Sequence, residues 1–336
     1  MTGGDAKETT AMRAHAWKTT RRAALVLILA TAGLGIGGSA SAAPVAINLC
    51  AVAGSVTMAG GETVPVWGFS PAAAPGACAG VAPGLPGPVL SATIGDTVTV
   101  TVTNALPAGH AVSFEVPGIS FGPGPAEAAA GATLTRTFTA SAPGTYLYQS
   151  AGDAGRQTAM GLYGALIVRP ATAGQAYDAA TTAYDAEAVL VLSALDPAFN
   201  AAPDSYDIHA YRATYWLING RSYPETAPGV TAGAGQRLLL RYLNAGYDNT
   251  TMTLLGMHEH VVARDARLLG VPVDVNAETI PAGATEDAIA TVPAGAGPSP
   301  HGYPLYNRQQ HVTNGAQTGA GPAPATGGGM LIFIHH

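Results

Sequence analysis

Apolar and polar residues alternate with a period of two over most of the chain beyond residue 43. Gly or Pro interrupts this alternation at intervals of roughly eight to twelve residues. Because a strand places successive side chains on opposite faces, the pattern predicts short strands with one buried face. No amphipathic helical pattern extends beyond about two turns. The sequence therefore predicts an all-β sandwich protein rather than a helical or βαβ fold.

Several segments occur twice in the same order, which indicates an internal duplication. GDTVTVTVTNA at 95–105 matches GQRLLLRYLNA at 235–245, each with a turn glycine, a strand and a closing Asn-Ala. Two further pairs are TYLYQ from Thr145 with YPLYN from Tyr303, and GALIV from Gly164 with GMLIFI from Gly329. We therefore predict two homologous β domains.

A small, polar stretch without periodicity separates the two repeats. We place the first domain at 43–172, a linker at 173–187 and the second domain at 188–336. About 294 residues suffice for two domains that each bury a core of their own.

The first 42 residues have the pattern of an export signal. Positive charges precede an apolar run over 23–36, and a small-residue cleavage site follows at 40–42. The charges are Lys18, Arg21 and Arg22. The paired arginines suggest a twin-arginine signal, although Ala24 stands where that signal usually has phenylalanine; a signal anchor is the other alternative. We expect an exported protein (periplasmic, cell-surface or extracellular) that begins at Ala43 and has no membrane span after cleavage.

Beyond residue 42 the chain is acidic, with ten arginines, no lysine and nineteen Asp or Glu residues, a net charge of −9. Nucleic acids and anionic membranes are therefore not expected partners.

Cys50 and Cys78 are the only cysteines. In an oxidising compartment we expect them to form a disulfide, and two separate buried thiols are the alternative.

Segments from both halves resemble the multicopper oxidase family. In the first half these are PGPVLSATIGDTVTVTVTNALP at 86–107 and PGTYLYQSA at 143–151, where the family reads PGTYWYHSH. In the second half they are YWLINGRSYPE, MTLLGMHEHVVARDA and YPLYNRQQHVTNG, starting at 215, 252 and 303. The resemblance implies two tandem Greek-key cupredoxin-like β-sandwich domains, and copper as the cofactor to consider.

The family's copper ligands are substituted in the first domain. Where the family has a His-x-His pair after the GDTVTV strand, the run AVSFEVPG places Ser113 and Glu115. The second pair becomes Gln149 and Ala151.

The His-Cys-His run that ends the family's last domain is also replaced. Asn307, Arg308 and Gln309 stand in that stretch, and no cysteine occurs in the second half. A blue-copper centre needs a thiolate beside two imidazoles. The sequence therefore shows no place for the family's electron relay.

One histidine pair has metal-like spacing. His258 and His260 alternate on a predicted strand, facing one side while Met257 and Glu259 face the other. With His301 or His311 they could bind copper or zinc, and ordinary surface imidazoles are the alternative. The terminal pair His335-His336 can also bind stray metal.

Other polar residues have structural interpretations. We expect Glu115 to be partnered, for instance by Arg156, rather than to act as a catalytic acid. His110 and His209 are expected in loops. Arg156 and Gln157 are expected to brace the loop at the domain edge. Four tyrosines are expected in the sandwich cores with their hydroxyls at the rim, namely Tyr146, Tyr148, Tyr303 and Tyr306.

Two functions follow as hypotheses. The first is a non-catalytic binding or envelope scaffold that has lost its copper ligands. The second is a laccase-like, copper-dependent oxidoreductase acting on phenolic or metal-ion donors, with copper at His258 and His260 or between subunits. The resemblance to two-domain relatives also suggests a homotrimer, and an envelope protein is the other expected partner.

Overall fold

The computed structural model describes residues 42–295, 297–309, 311, 313–315 and 327–336. The export signal predicted over 1–42 lies outside this range except for its last residue. Within the described residues, none of the helices has the length and apolar character needed to cross a membrane.

The first set of strands forms a sandwich from Pro44 to Arg169. Its strands are β1 Pro44–Thr57, β2 Thr63–Pro71, β3 Leu90–Thr93, β4 Thr97–Ala105, β5 Val112–Ser113, β6 Glu127–Ala128, β7 Thr133–Thr139, β8 Gly144–Gln149 and β9 Tyr163–Arg169. The helix α1, Arg156–Met160, lies between β8 and β9. The sheets have the orders β2-β1-β4-β7 and β3-β9-β8, with β5 paired to β6.

The second set forms a sandwich from Ala186 to His335. Its strands are β10 Ala186–Leu195, β11 Tyr215–Ile218, β12 Val230–Thr231, β13 Arg237–Asn244, β14 Thr250–Leu254, β15 Glu259–Arg264, β16 Arg267–Val275, β17 Ala277–Ile280, β18 Thr285–Thr291, β19 Tyr303–Asn307 and β20 Leu331–His335. The helix α2, Pro197–Ala201, follows β10. The sheets have the orders β11-β10-β13-β18-β15-β16 and β12-β20-β19-β14-β17. The all-β prediction is confirmed.

The two sandwiches repeat one local design, as the duplicated segments predicted. Strand β4 pairs in parallel with β1 and antiparallel with β7, and β13 pairs in the same way with β10 and β18. The closing asparagines also match: Asn104 Nδ2 donates to the carbonyls of His110 and Ala128, and Asn244 Nδ2 to those of Asp248 and Ile280. Each asparagine thus satisfies carbonyls of the loop beside its strand.

A hairpin of the second sandwich docks into the first. The hairpin tip is Asp265-Ala266, the two-residue turn between β15 and β16, and Ala266 packs against the core of the first sandwich. Its position depends on Gly144, where φ is +150° and a β-carbon would lie 2.6 Å from that of Ala266. Only glycine fits this close approach without displacing the tip.

The segment predicted as a linker is partly ordered structure. It contains a 3₁₀ turn at Ala180–Thr182, and β10 begins at Ala186, inside the predicted linker. Tyr177 and Thr182 are buried.

Candidate functional site

The four substituted ligand positions of the first sandwich do come together. Glu115 and Gln149 exchange both main-chain hydrogen bonds at 2.9 Å. Beside this bridge, the Ala151 amide donates to Ser113 Oγ at 2.9 Å. The four positions that the resemblance matches to the family's ligands therefore lie close to one another.

A closed hydrogen-bond network fills the inner part of this site. Ser113 is 1 % exposed, and its Oγ lies 3.3 Å from Ser150 Oγ. Ser150 Oγ donates to Gln157 Oε1 at 2.7 Å, and Gln157 Nε2 donates to Asp153 Oδ2 and the Ala111 carbonyl, both at 2.8 Å. Sequence reasoning missed Ser150 as the centre of the network because its neighbours, not it, occupy the ligand positions.

The chemistry of this network does not suit copper. Ser113 supplies a neutral hydroxyl, Gln149 a neutral amide and Ala151 a methyl group, whereas protein copper sites use imidazole and thiolate. The Ser113 hydroxyl is moreover engaged by the Ala151 amide.

The expected pairing of Glu115 with Arg156 is wrong. Glu115 is exposed, so its carboxylate keeps its hydration and needs no cation. Arg156 instead donates from one guanidinium nitrogen to the carbonyls of Pro203 at 2.8 Å and Tyr206 at 2.9 Å. These contacts fasten the segment that follows α2 over the first sandwich.

His110 lies in a loop, as expected, and its ring is held on three sides. Nδ1 lies 2.9 Å from Asp153 Oδ2 and Nε2 lies 3.7 Å from Asp204 Oδ2. The ring also packs on Trp67, with centroids 4.5 Å apart. These contacts tie the loop to both sandwiches.

The thiols are unavailable for a metal. Cys50 and Cys78 form the predicted disulfide, with Cα atoms 5.6 Å apart. In the run that replaces His-Cys-His, Asn307 is buried and its Oδ1 accepts from the Gln309 amide at 2.7 Å. This stretch is a local turn whose polar groups bond to each other.

His258 and His260 line an open cavity of about 600 Å³ together with Asp274. His258 is exposed and His260 half-exposed, whereas Met257 and Glu259 are buried, so the alternation has the predicted sense. His260 Nδ1 lies 2.7 Å from Asp274 Oδ1 on the neighbouring strand β16.

The other two candidate ligands have aromatic neighbours. His301 lies against Phe333, with ring centroids 5.3 Å apart, and His311 stacks on Trp216 at 4.3 Å. Neither of them lines the cavity of His258 and His260. Among the residues that the structure describes, no group of three or more His, Cys, Asp or Glu side chains is arranged to hold a metal ion.

The predicted core tyrosines are largely where expected. Tyr146, Tyr148 and Tyr303 are buried, and each hydroxyl donates to a main-chain carbonyl. Tyr306 is only half-buried.

A buried ionic network between the sandwiches was not predicted. Arg241 is 0 % exposed; its Nε donates to Glu187 at 2.6 Å and its NH1 lies 3.2 Å from Asp287 Oδ2. Thr145 Oγ1 in the first sandwich donates to Asp287 Oδ1 at 2.6 Å and accepts from Arg241 at 2.9 Å. Burial alone would raise the pKa of Glu187, but the hydrogen bond from Arg169 and the charge of Arg241 hold it below its usual value. Glu187 therefore stays ionised, and the bonds of Thr145 to Asp287 and Arg241 join the two sandwiches.

A second buried acid lies in the core of the second sandwich. Glu259 is 1 % exposed, its Oε2 accepts from the Tyr242 hydroxyl at 2.8 Å, and its Oε1 has no hydrogen-bond partner among the described residues. Burial raises the pKa of Glu259 to about 8. Glu286, bonded to Arg264 at 3.0 Å, has its pKa raised to about 7 by burial.

Comparison with known proteins supports the resemblance. Residues 69–173 match a family model described as multicopper oxidase. Multicopper oxidase MmcO of Mycobacterium tuberculosis (strain ATCC 25618 / H37Rv) is 27 % identical over 256 residues, which cover 64 % of this chain and 48 % of that protein. The chain thus spans about half the length of this curated relative.

Solved structures share the fold. A blue copper oxidase from Nitrosomonas europaea superposes with a TM-score of 0.71 at 22 % identity, covering 87 % of this chain and 86 % of that one. A copper nitrite reductase from the same organism gives a TM-score of 0.64 at 20 % identity, covering 87 % and 93 %. The predicted cupredoxin-like sandwiches and the multicopper oxidase resemblance are confirmed.

Proposed function

We propose that this multicopper-oxidase-like chain is an exported, non-catalytic scaffold that binds another component of the cell envelope or surface. The observation that carries the proposal is the set of side chains at the four positions that match the family's copper ligands. These positions lie together around the main-chain bridge between Glu115 and Gln149. They hold hydroxyl, carboxylate, amide and methyl groups where the family resemblance implies imidazoles. Because these groups do not suit copper, their presence at the four positions supports a role other than copper catalysis.

The cysteine chemistry supports the same conclusion. A blue-copper centre requires a thiolate, and both cysteines of the chain are in the Cys50–Cys78 disulfide. A second copy of the chain would bring the same disulfide, so assembly into a homotrimer supplies no thiolate. We therefore derive no electron-transfer step through copper.

A binding role is supported by the edge of the second sandwich. Strand β16 is the edge of its six-stranded sheet, and Leu268, Val271 and Val273 on it are 45 %, 80 % and 44 % exposed. Exposed apolar edges of this kind are sites where β proteins bind other chains.

Copper retention and turnover test the proposal together. We expect the untagged protein, saturated with copper and dialysed against a chelator, to retain far less than one copper per chain and to oxidise no phenolic dye. The Nitrosomonas blue copper oxidase serves as the positive control for both assays. Retention of one or more coppers per chain together with dye oxidation would contradict the scaffold function.

The alternative function, a copper-dependent oxidoreductase that uses His258 and His260, is favoured by one observation. Asp274 holds one ring nitrogen of His260, as carboxylates commonly do beside metal-ligating histidines. On this alternative, a variant with both histidines changed to alanine loses oxidation of a phenolic donor that the parent shows. Equal oxidation by parent and variant eliminates it.

A further inference from the structure

We propose that His258 and His260 together bind a divalent first-row metal ion in an exchangeable, mononuclear site, with Asp274 bonded to His260 behind them. Two imidazoles are the protein ligands, solvent completes the coordination, and Asp274 is the positioning residue. The metal class is Cu²⁺ or Zn²⁺. This site is independent of the scaffold function, because a labile ion on two nitrogens supports no electron relay.

The strand register pairs His260 with Asp274, and His258, which directly precedes β15, lines the same cavity. The residues that alternate with the histidines, Met257, Glu259 and Val261, are buried in the core of the second sandwich. His258 and His260 are therefore held on the outer face. Strand β16 places Asp274 directly opposite His260.

The contact between His260 and Asp274 defines the chemistry of the ring. When Nδ1 carries the hydrogen that Asp274 Oδ1 accepts at 2.7 Å, the lone pair lies on Nε2. A carboxylate in this position fixes the ring orientation and raises the basicity of the ligating nitrogen.

The cavity leaves room for solvent ligands. Besides the three residues named above, its wall includes Thr181, Arg237 and Thr291. Arg237 is the cation among the lining residues, and its guanidinium donates to the Thr181 carbonyl at 2.7 Å. The charge of Asp274 opposes that of Arg237, so the cavity does not present a net cation to an incoming metal.

The donor set determines the metal preference. Imidazole nitrogens suit Cu²⁺ and Zn²⁺, and a site that imposes no strict geometry binds Cu²⁺ more tightly than Zn²⁺. Two protein nitrogens hold an ion less firmly than the three or four of catalytic and structural zinc sites. We therefore expect the ion to exchange and to be removed by chelators.

Calorimetric titration with Cu²⁺ and Zn²⁺ tests the site. The protein to be titrated is the untagged full chain with the substitutions His335→Gln and His336→Gln, because the terminal histidine pair could otherwise bind metal. We expect one Cu²⁺ per chain, tighter than Zn²⁺, and electron paramagnetic resonance showing two coordinated nitrogens. His258→Ala/His260→Ala should abolish this binding, and Asp274→Asn should weaken it about tenfold or more, as second-shell changes do.

Matched controls keep the outcome decisive. His209→Ala removes an exposed histidine elsewhere and should leave the titration unchanged, and equal unfolding midpoints establish that all variants are folded. Unchanged Cu²⁺ binding by the double histidine variant would overturn the site. Unchanged affinity in Asp274→Asn would overturn the positioning role.

Discussion

Glu259 makes the stability of the second sandwich depend on pH. Its carboxyl group is 1 % exposed, one oxygen accepts from Tyr242 at 2.8 Å and the other has no partner among the described residues. Burial therefore disfavours the ionised form, and it raises the pKa of Glu259 from an ordinary value of 4.5 to about 8. We predict that Glu259→Gln stabilises the protein at pH 8 and destabilises it at pH 4.5.

The magnitude follows from proton linkage. Below pH 4.5 the folded and unfolded states both hold the proton, so the protonated Glu259 costs nothing extra. Above pH 4.5 the unfolded state releases the proton while the folded state keeps it, and stability falls until the pH passes about 8. At about 1.4 kcal/mol per pKa unit, the full loss is about 5 kcal/mol.

Glutamine has the same shape and does not ionise, so the variant escapes this loss. Its amide oxygen can accept from Tyr242, but its NH₂ group lacks a partner, which costs about 1–3 kcal/mol. The net effect is a gain of about 2–4 kcal/mol at pH 8 and a loss of about 1–3 kcal/mol at pH 4.5. The two stability curves should therefore cross between these pH values.

Urea unfolding of both proteins at several pH values between 4.5 and 8 measures the crossing. Glu225→Gln, which removes an exposed carboxylate, is the matched control and should follow the parent curve. Parallel pH dependence of the parent and Glu259→Gln would refute the argument, because the buried carboxyl would then contribute nothing to the slope.

Three further predictions concern the junction of the sandwiches and the disulfide. Asp287→Ala leaves the buried charge of Arg241 short of a partner and should cost about 3–5 kcal/mol in urea unfolding; an unchanged midpoint would contradict the network. Gly144→Ala places a β-carbon 2.6 Å from that of the hairpin tip, so we expect a lower thermal midpoint and faster proteolysis between the sandwiches. Changing Cys50 and Cys78 to serine opens a loop of 28 residues and should cost about 3–4 kcal/mol in the free energy of unfolding, whereas an equal midpoint would show that the disulfide constrains little.

Local pattern predicted the fold because the relevant forces are local. Strand alternation and turn glycines are visible in sequence, and the paired Asn-Ala endings at Asn104 and Asn244 identified the repeat that the hydrogen bonds then confirmed. The disulfide was predicted because the sequence has only two cysteines and the signal-like start led us to expect an oxidising compartment.

The interactions that the sequence did not predict are long-range. Arg241 and Thr145 are 96 residues apart, and Thr145 and Asp287 are 142 apart, so no local spacing could reveal that they bond. The expectation that Glu115 has an ionic partner was wrong because strand alternation shows which side of a strand a residue faces but not whether other elements cover that side. The strand pattern placed Glu259 on the side away from the histidines. The residues adjacent to it in sequence do not show that its carboxylate is buried without an ion partner.

The same distinction explains how the family motif can persist without its metal ligands. In PGTYLYQSA the residues that agree with the family's PGTYWYHSH have packing roles: Gly144 admits the hairpin tip, Thr145 bonds to Asp287, and Ser150 bonds to Gln157. The ligand positions Gln149 and Ala151 are half-exposed and exposed, and they contribute no buried side chain to the core. A change of side chain at these two positions therefore leaves the packing intact. The residues that hold the fold together and the positions that match the family's copper ligands are thus different residues of one segment, so the fold does not depend on which side chains stand at the ligand positions.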